Sequence, residues 1–297
     1  MTSSTISSIR VSASAKRTER RKQLGQVWYQ LRRNPLVLVG LVIVSIWIFA
    51  AVFAPALAPY EPLTQSISER LQAPDGVHPW GTDELGRDIY SRVLYGGRIT
   101  IPAGIAVIVI GSALGTFIGA IAGYAGGKWD ELLMRLTELF LAFPTIILAM
   151  AVSAALGADI KNAIIALVVV WWPSYARLMR GLVINVKNNE YVDAARCIGA
   201  PGWYILFRTI LPNCLSPIVV LTTLDIGNAI LTFAGLSFLG LGPEPASPEW
   251  GRMVAVGIDY FDQWWMWLFP GLAVSSLVMA FNFIGDGLRD ITDPRLR

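Results

Sequence analysis

The chain has little charge and few of the side chains that form catalytic and metal sites. Only 15% of its 297 residues are charged, and it contains one histidine, His78. One histidine cannot form a HExxH metal site, and a histidine in a loop cannot serve a Ser–His–Asp triad within a membrane. We expect His78 to be an ordinary surface residue. The sequence therefore predicts no catalytic residue and no metal site.

Cysteines and phosphate-binding loops are equally sparse. Cys197 and Cys214 are the only cysteines, and neither a structural disulfide nor a zinc site is expected from them. A phosphate-binding loop requires GxxxxGK followed by Ser or Thr. The nearest match, residues 122–129, lacks the first glycine and ends on Trp129 instead of a hydroxyl. We expect no cofactor on this chain, and ATP in particular is not expected to bind by this route.

Long apolar stretches are abundant. The chain is 54% hydrophobic with a mean hydropathy of +0.54, whereas soluble proteins carry roughly 25% charged residues. The formal net charge of +3 is too small to suggest a nucleic-acid partner. These features predict an all-α integral membrane protein with six transmembrane helices. The predicted spans cover residues 36–60, 99–126, 139–158, 162–176, 215–241 and 264–285.

Positive charge is sorted by side of the membrane. Six spans place both termini on one side, and 18 of the 24 Lys and Arg residues fall on that side. By the positive-inside rule, both termini and residues 177–213 are expected in the cytoplasm. Residues 60–98 then form the largest extracytoplasmic loop.

The second span carries a glycine at every fourth position. On a helix these residues form a ridge without side chains, along which another helix can pack closely. The ridge predicts a span buried in protein and says nothing of a substrate. Its members are Gly111, Gly115, Gly119, Gly123 and Gly127.

A polar segment between two spans, residues 190–213, has the features of a short helix, a turn and a second helix. Glu190 and Asp193 favour a helix start, and Ala194 and Ala195 give that helix a small face. Gly199 can adopt the positive φ that ends it. Pro201 is suited to start the next helix, and Leu211-Pro212 leads into the fifth span. An ordinary amphipathic connector would share some of these features.

This segment resembles the EAA loop of ABC importer permeases, the loop by which the membrane subunit docks on its ATPase. Asp193 and Thr209 replace the residues usual in that loop, and neither change removes the turn or the small face. Three further motifs resemble the peptide-importer branch of the same permeases and occur in the same order. They are GTDELGRDIYSRVLYGGR (81–98), GLSFLGLGPEPASPEWG (235–251) and FNFIGDGLRDITDPRLR (281–297).

The resemblance implies a type I ABC importer transmembrane domain and, specifically, a C-type permease subunit. The implied partners are a second homologous permease, two ATP-binding subunits that hold ATP and Mg²⁺, an extracytoplasmic solute-binding protein and membrane lipid. The substrate class it implies is dipeptides or oligopeptides, with nickel chelates, glutathione or oligosaccharides as alternatives. Implied regions are a tail (1–35), the first helix and outer loop (36–98), a permease core (99–288, with its coupling loop at 188–213) and a second tail (289–297).

Asp225 is the one acidic group deep within a span, and Asn228 shares its helix face. Two interpretations stay open: it lines the substrate path, or it forms a structural hydrogen bond to a neighbouring helix or partner permease. A secondary transporter or channel is the rival function, but it should show several intramembrane ionisable residues. Four tryptophans near the last spans are expected at headgroup depth as anchors, in preference to a sugar-stacking site: Trp250, Trp264, Trp265 and Trp267.

Overall fold

The computed structural model describes residues 34–292, without the side chains of 291 and 292. The predicted tails therefore lie mostly outside the described residues. The described part is helical and contains no β-strand beyond one isolated bridge between Thr82 and Asp88. Its helices, in chain order, are α1 (Pro35–Val52), α2 (Ala54–Leu57), α3 (Ile89–Ala125), α4 (Gly127–Leu141), α5 (Thr145–Leu156), α6 (Ile160–Lys187), α7 (Glu190–Cys197), α8 (Gly202–Tyr204), α9 (Leu211–Phe238), α10 (Trp250–Asp259) and α11 (Trp264–Thr292).

Five helical runs are long and apolar enough to cross a membrane, and α4 with α5 makes a sixth if the bent pair is counted as one span. The six-span prediction is confirmed in that form. α4 and α5 meet at 90°. The break falls at Phe143-Pro144, because a residue before proline is pushed out of helical geometry and proline cannot continue the hydrogen-bond ladder. The predicted unbroken third span over residues 139–158 was wrong in this respect.

Several predicted span ends also differ from the structure. α3 begins at Ile89, before the predicted second span, so residues 89–98 are the first turns of a 37-residue helix. α6 runs for 28 residues and extends well beyond the predicted fourth span. The sequence prediction missed these helix ends because it followed uncharged apolar runs, and the first turns of α3 and the last turns of α6 are polar. The implied boundary between residues 98 and 99 falls inside α3.

α3 and α6 pack closely along the glycine ridge. A Cβ atom at Gly115 or Gly119 would collide with carbonyl oxygens of α6, those of Trp172 and Ala176. At Gly123 it would lie 2.9 Å from the carbonyl oxygen of Arg180. Gly111 is the looser end of the same row, 3.3 Å from Trp171. Gly127 does not belong to the ridge, since it has a positive φ of 55°, faces open space and begins α4.

The first and last helices run side by side in opposite directions. Gly40 of α1 lies against Ala280, and Gly287 of α11 lies against Val37. The start of α1 and the end of α11 are therefore at the same end of the bundle. We call the end that carries residues 188–213 the knob end, and the end that carries residues 60–88 and 239–249 the rim end.

Candidate coupling surface and substrate path

α7 is short and polar, and one residue anchors it to the bundle. Val192 is fully buried in a cluster that includes Met179 and Val183 of α6 and Ile205 and Ile210 beyond the turn. Glu190 and Asp193 lie in its first turn and are exposed. The sequence analysis missed Val192, although an apolar residue between two acidic ones is the available signal for a buried helix face.

The turn after α7 is closed by a complete Schellman motif. The N–H of Ala200 donates to the carbonyl of Ala195 at 3.1 Å, and the N–H of Gly199 donates to Arg196 at 2.9 Å. Gly199 has φ +80°, which other residues adopt only with strain. After Pro201, the chain continues through α8 and a π-turn (Ile205–Ile210) directly into α9. The second helix of the predicted pair is therefore the beginning of the fifth span.

The knob, which we define as residues 188–210, presents bulky apolar side chains as well as the small ones singled out from the sequence. Ile198 is 84% exposed and Trp203 is 65% exposed. Ala194 is exposed beside them, whereas Ala195 packs partly against the buried cluster. Ile198 lies in the polar segment between two long apolar helices, where an exposed apolar residue of this size is typical of a surface that contacts another protein. Leu211 is half-buried and Pro212 is exposed in the first turn of α9.

Two polar contacts tie the knob end of α6 to the neighbouring helices. Arg180 forms a bidentate pair with Asp130 of α4, with N–O distances of 2.6 and 2.7 Å. Lys187, the last residue of α6, donates to the carbonyl of Tyr124 at 2.6 Å. A displacement of the knob would therefore be transmitted to α3 and α4 as well as to α6.

Asp225 lies on α9 and is bound on one side only. Its Oδ2 accepts hydrogen bonds from the Tyr175 hydroxyl at 2.9 Å and the Trp171 indole N–H at 3.4 Å, both on α6. Its Oδ1 has only a 3.5 Å contact with the Asn228 amide. Asp225 is half-buried and Asn228 is exposed. The carboxylate thus has both a structural partner and an oxygen that remains available.

A groove runs between α3 and α9 from the knob end to within two residues of Asp225. It has a volume of about 470 Å³. Its walls are mostly apolar, and four hydroxyl-bearing side chains line it: Ser112, Thr116, Thr222 and Thr223. An apolar groove with a few polar groups is typical of a site for a small organic ligand.

At the rim end, a buried network of charges holds the long loop in place. Arg87 pairs with Asp83 at 2.6 Å and with Glu84 at 2.7 Å. Arg92 donates to the carbonyl of Pro62 at 2.9 Å and to that of Ser247 at 3.2 Å, which joins the two loops of the rim. Burial, together with the charge of Asp83, raises the pKa of Glu84. Only the resemblance singled out this motif in the sequence. In the structure, its charged residues form ion pairs with one another.

Three expectations at the rim end were wrong. His78 is buried, and its Nδ1 lies 2.9 Å from Asp88. Trp250 and Trp265 are also buried and do not anchor the chain at headgroup depth. Their indole N–H groups donate to the carbonyls of Val93 at 2.9 Å and Thr82 at 3.1 Å. Their partners lie far away in the sequence, so no local pattern could reveal them.

Glu249 is a fully buried carboxylate at the start of α10. It accepts hydrogen bonds from the backbone N–H of Arg252 at 2.8 Å and from the Thr100 hydroxyl at 3.1 Å. Burial raises the pKa of Glu249 above its usual range, and these hydrogen bonds oppose the shift. The residue joins α3 to α10 and closes the rim.

Comparison with known proteins identifies the family. Residues 115–297 match the model of the binding-protein-dependent transport system inner membrane component. Residues 22–74 match the N-terminal transmembrane domain of oligopeptide transport permease C. The two matches leave the rim network, residues 78–92, between them.

Three relatives cover nearly the whole chain. A probable D,D-dipeptide transport system permease of Escherichia coli is 42% identical over 270 residues, 91% of this chain and 90% of its own. A dipeptide transport system permease of Alkalihalophilus pseudofirmus is 42% identical, over 92% of this chain and 90% of its own. A glutathione transport system permease of Escherichia coli is 43% identical over the same shares of the two chains. This chain therefore belongs to the family of binding-protein-dependent transport system inner membrane components and is a multi-pass permease subunit of an ABC importer.

Proposed function

We propose that this permease passes short peptides across the bacterial inner membrane and that its knob receives the force of ATP hydrolysis. The observation that carries the second part is the knob itself. It is a helix anchored by Val192, closed by Gly199 at positive φ, and exposed at Ile198 and Trp203. The peptide substrate is supported by the names of relatives with more than 40% identity. Glutathione is the second candidate, supported by one relative and itself a peptide with a free amine.

The remaining roles in transport belong to partner subunits. The partners are a second homologous permease, two ATP-binding subunits that hold ATP and Mg²⁺, and an extracytoplasmic solute-binding protein. This chain converts ATPase closure into a change of access between the two sides of the membrane. The direct connection of the knob to α9 through the π-turn gives that movement a route to Asp225.

Two substitutions in the knob test the docking role. Ala195→Arg places an unpaired charge against the half-buried side of α7, and Gly199→Val forces a branched residue to adopt φ +80°. Each should abolish co-purification with the ATPases or substrate-stimulated ATP hydrolysis in reconstituted membranes. Each should leave the permease inserted, because α7 lies outside the helices that span the membrane.

Matched controls come from the other end of the bundle. Ala158→Arg adds the same charge at an exposed position, and Gly157→Val imposes the same strain at φ +92°. Both variants should retain coupling. Wild-type coupling in Ala195→Arg and Gly199→Val would show that the knob is not the docking site.

The orientation is testable with single cysteines. We propose that the knob end faces the cytoplasm, from the positive-inside rule. In a Cys197→Ser background, a cysteine at exposed Ser68 should react with an impermeant maleimide on intact cells, and one at exposed Asn188 should not. Labelling of Asn188 without labelling of Ser68 would reverse the topology.

We further propose that Asp225 contacts the cationic amine of the peptide, through the oxygen that Tyr175 and Trp171 leave available. Asp225→Asn should slow transport of a free-amine dipeptide much more than transport of its N-acetylated analogue. The assembled complex should form normally. Equal slowing of both substrates, or failure of assembly, would establish the structural interpretation instead.

A further inference from the structure

A second groove lies at the rim end, between the end of α1 and the first half of α3. It has a volume of about 310 Å³, and its lining is apolar except for one arginine. Ile48 and Val52 form its α1 wall and are themselves exposed. The remaining lining residues are Ala51, Gly97, Arg98, Ile101 and Pro102.

The length of α1 indicates that the groove is near the boundary between hydrocarbon and headgroups. α1 has 18 residues and is about 27 Å long at ~1.5 Å per residue, close to the ~30 Å of a hydrocarbon core. With α1 filling that core, its last residue, Val52, would lie at the boundary. Gly97 is level with it, because a Cβ at Gly97 would lie 3.1 Å from the Ala51 side chain. Arg98 would consequently lie at the depth of phospholipid phosphates.

Arg98 differs from the two other arginines of its helix region. Arg87 and Arg92 are buried and bound to carboxylates or carbonyls. Arg98 is exposed, and over residues 34–292 its guanidinium has no ion pair; its described contact is with the Tyr95 ring, 5.8 Å away. Pro102, four residues later, has no N–H to offer the carbonyl of Arg98. Donors and an acceptor are thus both available at the mouth of an apolar groove.

We propose that this groove binds one phospholipid molecule, with an acyl chain between α1 and α3 and its phosphate on Arg98. A guanidinium binds phosphate bidentately, and the attraction of an anionic lipid to one arginine is worth about 1 kcal/mol, or roughly fivefold in affinity. The site is independent of the peptide path and of the knob. It would fix the otherwise little-buried α1 against the rest of the bundle.

The test is a titration of the purified, full-length permease complex with phosphatidylglycerol, followed by native mass spectrometry. Arg98→Gln should weaken the first lipid adduct about fivefold, and Arg98→Lys should fall between it and the wild type. Val52→Trp, which fills the groove and leaves the charge in place, should weaken binding as well. Diacylglycerol, which lacks phosphate, should bind less and be insensitive to Arg98→Gln.

Arg70→Gln is the control, since Arg70 is an exposed arginine of the rim loop that does not line the groove. It should bind phosphatidylglycerol like the wild type. Equal weakening by Arg70→Gln would reduce the effect to general surface charge and overturn the proposal. Wild-type binding in both Arg98→Gln and Val52→Trp would do the same. Binding to the isolated chain but not to the complex would show that a partner helix covers the groove, which also contradicts it.

Discussion

The two ends of the bundle each hold a short ion pair, in opposite surroundings. At the rim, Arg87 and Asp83 are 2.6 Å apart, with side chains 3% and 7% exposed. At the knob, Arg196 and Asp193 are 2.7 Å apart, with side chains 42% and 61% exposed. Distance alone would rank the pairs as equal. Burial makes the first an internal support of the fold and leaves the second free to exchange partners.

The apolar residues show this contrast only in part. The rim tryptophans Trp250 and Trp265 are buried with their indole N–H groups bonded. The knob leaves Ile198 and Trp203 exposed. The rim loop also exposes apolar side chains, among them Leu63, Ile67 and Val77. The two ends therefore differ in their polar interior: the rim has a buried network of charges and bonded indole groups, and the ion pair of the knob lies at the surface.

The largest expected effect is at the rim pair. Asp83→Ala leaves Arg87 without its nearest carboxylate and Arg92 without one at 3.5 Å. Loss of one partner from a buried pair costs about 3–5 kcal/mol. Thermal unfolding of the purified permease in detergent should show a large decrease in midpoint. Glu61→Ala, an exposed acid in the same loop, should unfold like the wild type.

The glycine ridge between the two ends should give an intermediate effect. Gly119→Ala drives a methyl group into the carbonyl of Ala176, and overpacking of this kind costs about 1–3 kcal/mol. Gly181→Ala is the control, because Gly181 lies on α6 with no neighbour near its Cβ position. It should be neutral or slightly stabilising. Equal destabilisation by both would show that α3 and α6 do not meet along the ridge.

The buried carboxylate of the rim predicts a dependence on pH. Burial raises the pKa of Glu249 in the folded protein above the unfolded value of about 4.3, so the folded state binds the proton more tightly. The associated stability is complete below the unfolded pKa and is lost as pH rises through the folded one. Glu249→Gln should remove the part of the stability loss at rising pH that this carboxylate causes. The measurement is the thermal unfolding midpoint as a function of pH. A wild-type profile that Glu249→Gln leaves unchanged would contradict the assignment.

The smallest effect is expected at the knob pair. Asp193→Ala removes an exposed partner of Arg196, and such pairs contribute about 0–1 kcal/mol. The unfolding midpoint should therefore barely change. A decrease in unfolding midpoint as large as that of Asp83→Ala would contradict the distinction between a buried pair at the rim and an exposed pair at the knob.

Local features of the fold could be predicted from sequence, and long-range contacts could not. The number of spans and the positive φ of Gly199 follow from apolar runs and turn chemistry within a few residues. The bond between Arg92 and Ser247 joins residues 155 positions apart. Tryptophans near span ends predicted membrane anchors. In the folded chain, Trp250 instead packs against α3 and donates to the carbonyl of Val93.

The candidate site divides in the same way. The small face and turn of the knob are visible in residues 190–201, but its bulky exposed residues were not singled out. Asp225 stands out as a carboxylate in an apolar span. Its ties to Tyr175 and Trp171, 50 and 54 residues earlier, depend on the packing of α6 against α9.

The most direct test of the central claim uses the two native cysteines. Cys197 is exposed at the end of α7, and Cys214 is buried in α9 and serves as the internal control. In the purified permease, maleimide should label Cys197 quickly and leave Cys214 unreacted. Addition of the ATP-binding subunits should slow labelling of Cys197 at least about tenfold if the knob is the surface they cover. Unchanged labelling of Cys197 in the assembled complex would contradict the account.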